Sequence, residues 1–298
     1  MGAHYFMVFL GRFAQIAFMG FRFYRVSNWC YLTGFCLIGI FYSGLPSSIV
    51  LFIVATAISS FSLAYLYSVN SCFDIETDRE TGVDNLISQG AISFRQGCLL
   101  SAFPLMMAVL FSLLVATGTF PFLLIALAIG TAYSAPPIRL KAVPVLCTIV
   151  NGATLSLLFL VGYTSFSALT LGALQLFIYL CLLEMPSQLV HEMIHSEADK
   201  RQKVNTTALK LGSKRTVVVA SLMLLSSIPV AVHMYLSHLI SSPLFVAMCA
   251  FPAITILLFL RRYDSQSLEA MKSLRKKYRN AGVAFGLIFV FILMFVKG

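Results

Sequence analysis

The sequence predicts an all-helical integral membrane protein with about nine transmembrane helices. The first observation is composition, because 59% of the 298 residues are hydrophobic and only 11% are charged. Soluble domains carry about 25% charged residues, so a soluble globule of this size would lack charges to cover its surface. The second observation is a series of apolar runs, most of them near the length of a spanning helix. The third is the concentration of Lys and Arg in alternate connections between these runs.

The apolar runs define the predicted spans, and short turns containing Gly, Pro or Ser separate many of them. The predicted spans are residues 28–44, 47–70, 97–117, 119–135, 143–163, 168–190, 216–236, 241–260 and 281–297. Two acidic clusters, separated by four spans, follow the second and the sixth span. We therefore expect one domain over residues 1–298, built from two related four-helix units and one additional helix.

The first 26 residues predict an amphipathic helix that lies on the membrane surface. Arg12, Gln15 and Arg22 can share one helical face, and phenylalanines are spread around it. Such a helix buries its apolar side in the interface between headgroups and acyl chains. Arg12 interrupts the apolar run and no small-residue cleavage site follows, which argues against a signal peptide.

The distribution of Lys and Arg predicts the orientation. With the N-terminus in the cytosol, the basic residues of 12–25, 79–95, 139–141, 200–215 and 261–279 all face inward. Only Lys297 then lies outside, as the positive-inside rule requires. The formal net charge of +10 is therefore attributed to loops that face anionic membrane lipid, and we expect no nucleic-acid binding.

Three oxygen-bearing side chains recur at four-residue intervals after the second predicted span. Asn70, Asp74 and Asp78 form the pattern N-x-x-x-D-x-x-x-D. On a continuous helix, positions i, i+4 and i+8 lie on one face. Carboxylate and amide oxygens are hard ligands that suit Mg²⁺, which commonly joins one or two carboxylates to a substrate phosphate. The pattern predicts a Mg²⁺ site at the cytosolic end of this helix.

Several segments together resemble the UbiA superfamily of intramembrane prenyltransferases. Residues 70–78 resemble its first aspartate-rich motif, and residues 84–93 resemble the loop that follows that motif. The segment Tyr133-Ser-Ala-Pro-Pro-Ile-Arg-Leu-Lys141 resembles the loop between the fourth and fifth helices, and residues 206–212 also look familial. The resemblance implies a UbiA-like helix bundle, a prenyl diphosphate substrate and Mg²⁺.

The second acidic motif departs from the family pattern. The segment reads His191-Glu192-Met-Ile-His195-Ser-Glu197-Ala-Asp199. His195 occupies the place of the first Asp of the family motif, whereas Asp199 keeps the second. In the loop after the first motif, Asn85-Leu86 stands where the family carries Arg-Pro. Both differences change the charge near the expected diphosphate.

The resemblance implies a role for each candidate residue. The predicted metal ligands are Asn70, Asp74, Asp78, His195 and Asp199. The predicted substrate-binding residues are Asn70, Tyr133, Ser134, Arg139, Lys141 and Lys203, with the three basic residues neutralising the departing diphosphate. We expect the ring of Tyr133 to stabilise an allylic carbocation. A hydrophobic acceptor, small and aromatic or lipid-like, then attacks, and Glu192 or His195 takes its proton.

Three further interpretations stay open at this stage, the first of which is a degenerate, lipid-binding family member without activity, suggested by His195. A terpene cyclase of the same superfamily would use the same ionisation without a separate acceptor. The segment His191-Glu192-Met-Ile-His195 also matches H-E-x-x-H, in which two histidines bind zinc and the glutamate is the general base of a protease. That pattern requires a third zinc ligand and leaves the motif of Asp74 and Asp78 without a role.

Overall fold

A computed structural model describes residues 15, 17–202, 204–261 and 267–296, and this part of the chain is helical without a β-strand. After helical residues 17–23, helix α1 (Val26–Trp29) continues through a 3-10 turn, Cys30–Thr33, into α2 (Gly34–Tyr42). The next helices are α3 (Ile49–Phe73), α4 (Ile75–Thr81), α5 (Phe94–Ser112), α6 (Thr119–Ser134) and α7 (Leu146–Thr164). They are followed by α8 (Leu171–Arg201), α9 (Thr207–Leu211), α10 (Ser213–Leu236), α11 (Ser242–Leu260) and α12 (Leu268–Phe295).

Seven of these helices are both long and apolar enough to cross a membrane, namely α3, α5, α7, α8, α10, α11 and α12. The first and fourth predicted spans correspond to shorter apolar helical segments, Val26–Tyr42 and Thr119–Ser134. A crossing of the hydrocarbon core requires about 20 residues of regular helix. The prediction of an all-helical, multi-pass membrane protein is therefore confirmed, while a count of nine crossings stays a prediction.

The helices pack in a closed arrangement around α7 and α8. Helix α3 packs against α5 and α6, and α7 contacts α2, α6 and α8. Helices α10, α11 and α12 follow one another, and α12 returns to contact α8 and α2. Of the seven long helices, α7 has the largest buried share. This central position lets α7 connect the first helices of the chain to the later ones.

Two glycines allow α2 and α7 to cross in backbone contact. A Cβ atom on Gly39 would lie 2.1 Å from the carbonyl oxygen of Phe159. A Cβ atom on Gly162 would lie 2.2 Å from the carbonyl oxygen of Cys36. Small residues at such crossings are typical of helix packing in membranes, where close van der Waals contact drives association.

The N-terminal segment is only partly described, and its last residues are inserted into the protein. Residues 17–23 are helical, and Phe18 and Phe21 are exposed whereas Phe23 is buried. Trp29, in α1, is buried and its indole N–H donates to the carbonyl of Tyr24 over 2.6 Å. Residues 1–14 and 16, which form most of the predicted interfacial helix, lie outside the described residues, as do Lys203 and Lys297.

Candidate active site

The first acidic motif lies where α3 gives way to α4. Asp74 separates the two helices with φ −107° and ψ 24°, so the continuous helix that would place all three side chains on one face is interrupted. The backbone N–H of Asp74 still donates to Asn70 over 2.9 Å, and that of Asp78 donates to Asp74 over 2.8 Å. The four-residue spacing is therefore retained across a local bend. This bend carries α4 to the end of α8, where the hydroxyl of Thr77 donates to Gln202.

Asp74 is held by residues from two predicted site segments. The amide nitrogen of Asn70 donates to Asp74 Oδ2 over 2.8 Å and to the Ser134 hydroxyl over 3.2 Å. The ammonium of Lys141 contacts Asp74 Oδ1. The structure therefore brings the first motif together with the loop of residues 133–141, as the resemblance implies.

Asp78 has a different set of partners, one of which sequence reasoning missed. Arg25, immediately before α1, forms an ion pair with Asp78 Oδ2, and both side chains are more than nine-tenths buried. The amide nitrogen of Asn85 donates to the same oxygen over 2.8 Å. A buried arginine from the N-terminal segment therefore lies beside Asp78, which Asn85 also contacts.

Lys141 lies between the two acidic motifs. It is buried in the short 3-10 turn Leu140–Ala142. Burial lowers the pKa of Lys141 to about 8, and the negative charge of Asp199 acts in the opposite direction. The positive charge of Arg139 also favours the ionised form of the Asp199 carboxyl group. Loop 133–141 therefore presents its two cations to carboxylates from both motifs.

Glu192 of the second motif faces the protein scaffold. It is buried, and its Oε1 accepts from the Thr148 hydroxyl over 3.0 Å and from Gln188 Nε2 over 3.3 Å. Its Oε2 accepts from the backbone N–H of Ala208 over 3.0 Å. These bonds join α8 to α7 and to the start of α9. Most of the hydrogen-bonding capacity of the carboxylate is therefore used in holding three helices together.

The two histidines of the second motif stack edge to face, with ring centroids 4.5 Å apart. Three cations lie near His195 and disfavour a positive charge on its imidazole, namely Arg275, Lys272 and Lys141. Among the described residues, no three His, Cys, Asp or Glu side chains converge as a metal site would require. The zinc-protease interpretation therefore lacks its third ligand there, and its general base, Glu192, is engaged in the scaffold.

The first motif fits a hard divalent cation better than the second motif does. Asn70 uses its amide nitrogen for both of its bonds, which leaves its carbonyl oxygen, with the Asp74 carboxylate, as oxygen ligands. Mg²⁺ usually keeps several waters and relies on substrate phosphates, so it does not need a preformed cage of three acidic residues. Asp199 and the imidazole of His195 form a mixed set, and imidazole favours softer metals.

Tyr133 is held by two polar residues from the interior of the bundle that sequence reasoning missed. Its hydroxyl oxygen accepts a hydrogen bond from Gln188 Nε2 over 3.0 Å. The side-chain oxygen of Gln188 in turn accepts from the amide nitrogen of Asn151. An uncharged polar side chain within an apolar span is costly unless it is bonded, and that cost is the signal that could have identified both residues.

A helical membrane bundle with two acidic motifs near a buried lysine is what the resemblance to intramembrane prenyltransferases implies. The chain belongs to the UbiA prenyltransferase family, whose model matches residues 30–295. This membership confirms that the protein is a prenyltransferase.

Relatives of characterised function share part of the chain. Lycopene elongase/hydratase of Haloarcula japonica is 28% identical over 205 residues, which cover 65% of this chain and 67% of that protein. The 2-acylphloroglucinol 4-prenyltransferase of Humulus lupulus is 30% identical over 177 residues, which cover 55% of this chain. The chain spans only 42% of the length of the hop enzyme.

Solved structures share the whole fold. A UbiA homologue from Archaeoglobus fulgidus bound to DMAPP and Mg²⁺ superposes with a TM-score of 0.76 at 18% identity. That match covers 93% of this chain and 99% of the other. A digeranylgeranylglyceryl phosphate synthase superposes with a TM-score of 0.73 at 17% identity, over 92% of this chain and 97% of the other.

Proposed function

We propose that this protein catalyses Mg²⁺-dependent transfer of a prenyl group from a prenyl diphosphate to a hydrophobic acceptor, small and aromatic or lipid-like, at the cytosolic ends of its helices. The observation that carries the proposal is the position of Lys141, which contacts Asp74 of the first motif and lies within the electrostatic reach of Asp199 of the second. A buried cation between two acidic motifs is suited to a polyanionic leaving group whose charge grows as its bond breaks.

The charged residues of the site are suited to stabilising the diphosphate as it leaves. The C–O bond to the diphosphate breaks, and the diphosphate leaves with the electron pair. Mg²⁺, when bound by Asn70, Asp74 and Asp199, would neutralise part of that charge as a Lewis acid. Lys141 and Arg139 provide positive charge from the protein side. Arg25 balances Asp78 in the same region and limits the net negative charge that meets the diphosphate.

The remaining steps assign roles to the aromatic and titratable side chains. The ring face of Tyr133 stabilises the allylic cation. The acceptor attacks this cation, forms the new bond and loses a proton. Among the two proton acceptors that the sequence predicts, the contacts favour His195, because Glu192 already accepts four hydrogen bonds from the scaffold. Imidazole is well suited to proton transfer near neutral pH.

The relatives support the substrate class and leave the acceptor to experiment. Structures of the Archaeoglobus fulgidus homologue contain DMAPP or GPP together with Mg²⁺. The named relatives act on chemically different compounds, a carotenoid in one case and an acylphloroglucinol in the other. The concentration of basic residues in the loops that surround the site supports a cytosolic orientation for it.

The test is an incubation of the purified full chain in detergent or lipid with Mg²⁺ and labelled DMAPP or GPP. Lycopene and a 2-acylphloroglucinol serve as acceptors, and chelation of the metal is the control. We expect metal-dependent diphosphate release and a labelled product that requires an added acceptor. A cyclised hydrocarbon formed without an acceptor would instead identify a terpene cyclase. The absence of diphosphate release under all conditions would contradict the proposal.

A further inference from the structure

We propose that Gln188 is a positioning residue that fixes the hydroxyl group, and thereby the ring, of Tyr133. The inference rests on the proposed function, in which Tyr133 faces the prenyl cation. Gln188 lies on α8, one turn before Glu192, and only 6% of its surface is exposed. It is outside the acidic motifs, and it contacts Tyr133, which is one residue before the end of α6.

The side-chain amide of Gln188 is a junction between three helices. Its nitrogen donates to the Tyr133 hydroxyl oxygen over 3.0 Å and to Glu192 Oε1 over 3.3 Å. Its oxygen accepts from the amide nitrogen of Asn151 on α7. Both amide hydrogens and the carbonyl oxygen therefore have partners, so the side chain is fully satisfied where it is buried.

The partners of Gln188 determine how its amide is oriented. An ionised carboxylate can only accept hydrogen bonds, so Glu192 requires the nitrogen of Gln188 on its side. Asn151 supplies an N–H group to the opposite side, which requires the oxygen there. The second hydrogen of the Gln188 nitrogen is then directed to Tyr133. As a result the phenol oxygen accepts, and its own proton remains able to donate to another group.

The backbone at Tyr133 is fixed from the other side of the site. The neighbouring residue, Ser134, accepts a hydrogen bond from Asn70 of the first motif over 3.2 Å. The hydroxyl of Tyr133 is thus bonded to the helix of the second motif, and the next residue, Ser134, is bonded to the first motif. This double attachment sets the tilt of the ring relative to the place where the diphosphate leaves.

The orientation of the ring matters because the attraction between a cation and an aromatic face depends on the position of the cation over that face. A ring that rotates away loses this contribution chiefly in the ionised state, since the neutral prenyl chain has little charge to interact with the ring. Removing the Gln188 amide should therefore lower kcat and leave KM for the prenyl diphosphate nearly unchanged. The strength of such contacts predicts a loss of about 10-fold in kcat.

The experiment measures kcat and KM for GPP with Mg²⁺ in the full chain for Gln188→Leu, Tyr133→Phe and the double variant. We expect the Gln188→Leu loss to vanish in the Tyr133→Phe background, because the hydroxyl through which Gln188 acts is then absent. Gln175→Leu is the matched control, since Gln175 lies on the same helix but contacts His233 on α10. It should behave as wild type.

A second variant covers the case in which Gln188→Leu fails to fold. Asn151→Leu removes the group that orients the Gln188 amide and also a polar neighbour of the Tyr133 hydroxyl, while it leaves Gln188 itself in place, and it should also reduce kcat alone. Additive losses in the double variant, or an effect on KM alone, would overturn the inference, as would wild-type kinetics in both single variants. An inactive wild-type protein would overturn the proposed function, and this inference with it.

Discussion

The first acidic motif, residues 70–78, and the second, residues 191–199, have similar spacing but different surroundings. In the first, Asp74 and Asp78 each meet a cation of the chain, Lys141 and Arg25. In the second, Glu192 is bonded to the scaffold of α7 and α9, and only Asp199 is within reach of the shared cation. The spacing of carboxylates therefore identifies a motif, whereas the partners of each carboxylate determine whether it pairs with a cation or holds helices together.

The largest effect is expected from the first motif. Asp74→Ala removes a carboxylate that faces Lys141 and is available to Mg²⁺, so diphosphate release should fall by at least about 100-fold. The measurement is metal-dependent release from labelled GPP by a variant whose thermal unfolding matches that of the wild type. Glu76→Ala is the control, because Glu76 is exposed on α4. If Asp74→Ala turned over at the wild-type rate, the first motif would not carry the metal-dependent chemistry that distinguishes it here from the second.

The second prediction separates stability from catalysis in the second motif. Glu192→Gln keeps one acceptor oxygen, which can serve either the backbone N–H of Ala208 or the amide of Gln188, so one buried N–H group loses its partner. An unsatisfied buried group costs about 1–3 kcal/mol, so the unfolding temperature should fall measurably. The fraction that remains folded should still release diphosphate. A variant as stable as the wild type but inactive would show instead that Glu192 takes part in the chemistry.

The smallest effect is expected at His195. His195→Asp introduces an oxygen ligand that Mg²⁺ prefers to imidazole, next to the positive charges of Lys272 and Arg275. Diphosphate release with Mg²⁺ should rise by less than about tenfold, equivalent to about 1.4 kcal/mol. The control is His233→Asp, on α10 and far along the chain. Aspartate can also accept the proton assigned to His195, so a folded but inactive His195→Asp protein would contradict this prediction and show that Asp cannot replace the imidazole.

Local patterns in the sequence predict the helices and the first motif because both are local properties. The apolar runs are long enough to span, and Asn70, Asp74 and Asp78 repeat at helical spacing. The bend at Asp74 is not predictable in the same way. There Lys141 contacts Asp74 and Ser134 bonds Asn70, and both partners lie at least sixty positions further along the chain.

Long-range polar pairing accounts for the residues that the sequence did not identify. Arg25 belongs to a segment predicted to lie on the membrane surface, yet its side chain is buried against Asp78. Gln188 and Asn151 interrupt apolar spans by single polar positions, which indicates only that each needs a partner. Which partner each one finds depends on the packing of α6, α7 and α8, and local periodicity carries no information about that packing.

The crossing of α2 and α7 at Gly39 and Gly162 has a mechanical consequence. Two backbones in direct contact leave no side chain between them that could rotate to absorb a displacement. Helix α2 continues, through α1, from the arginine that holds Asp78, and α7 carries the asparagine that orients Gln188. We therefore expect little sliding of α2 against α7, so that the crossing keeps the segment of Arg25 and the helix of Asn151 at a constant separation.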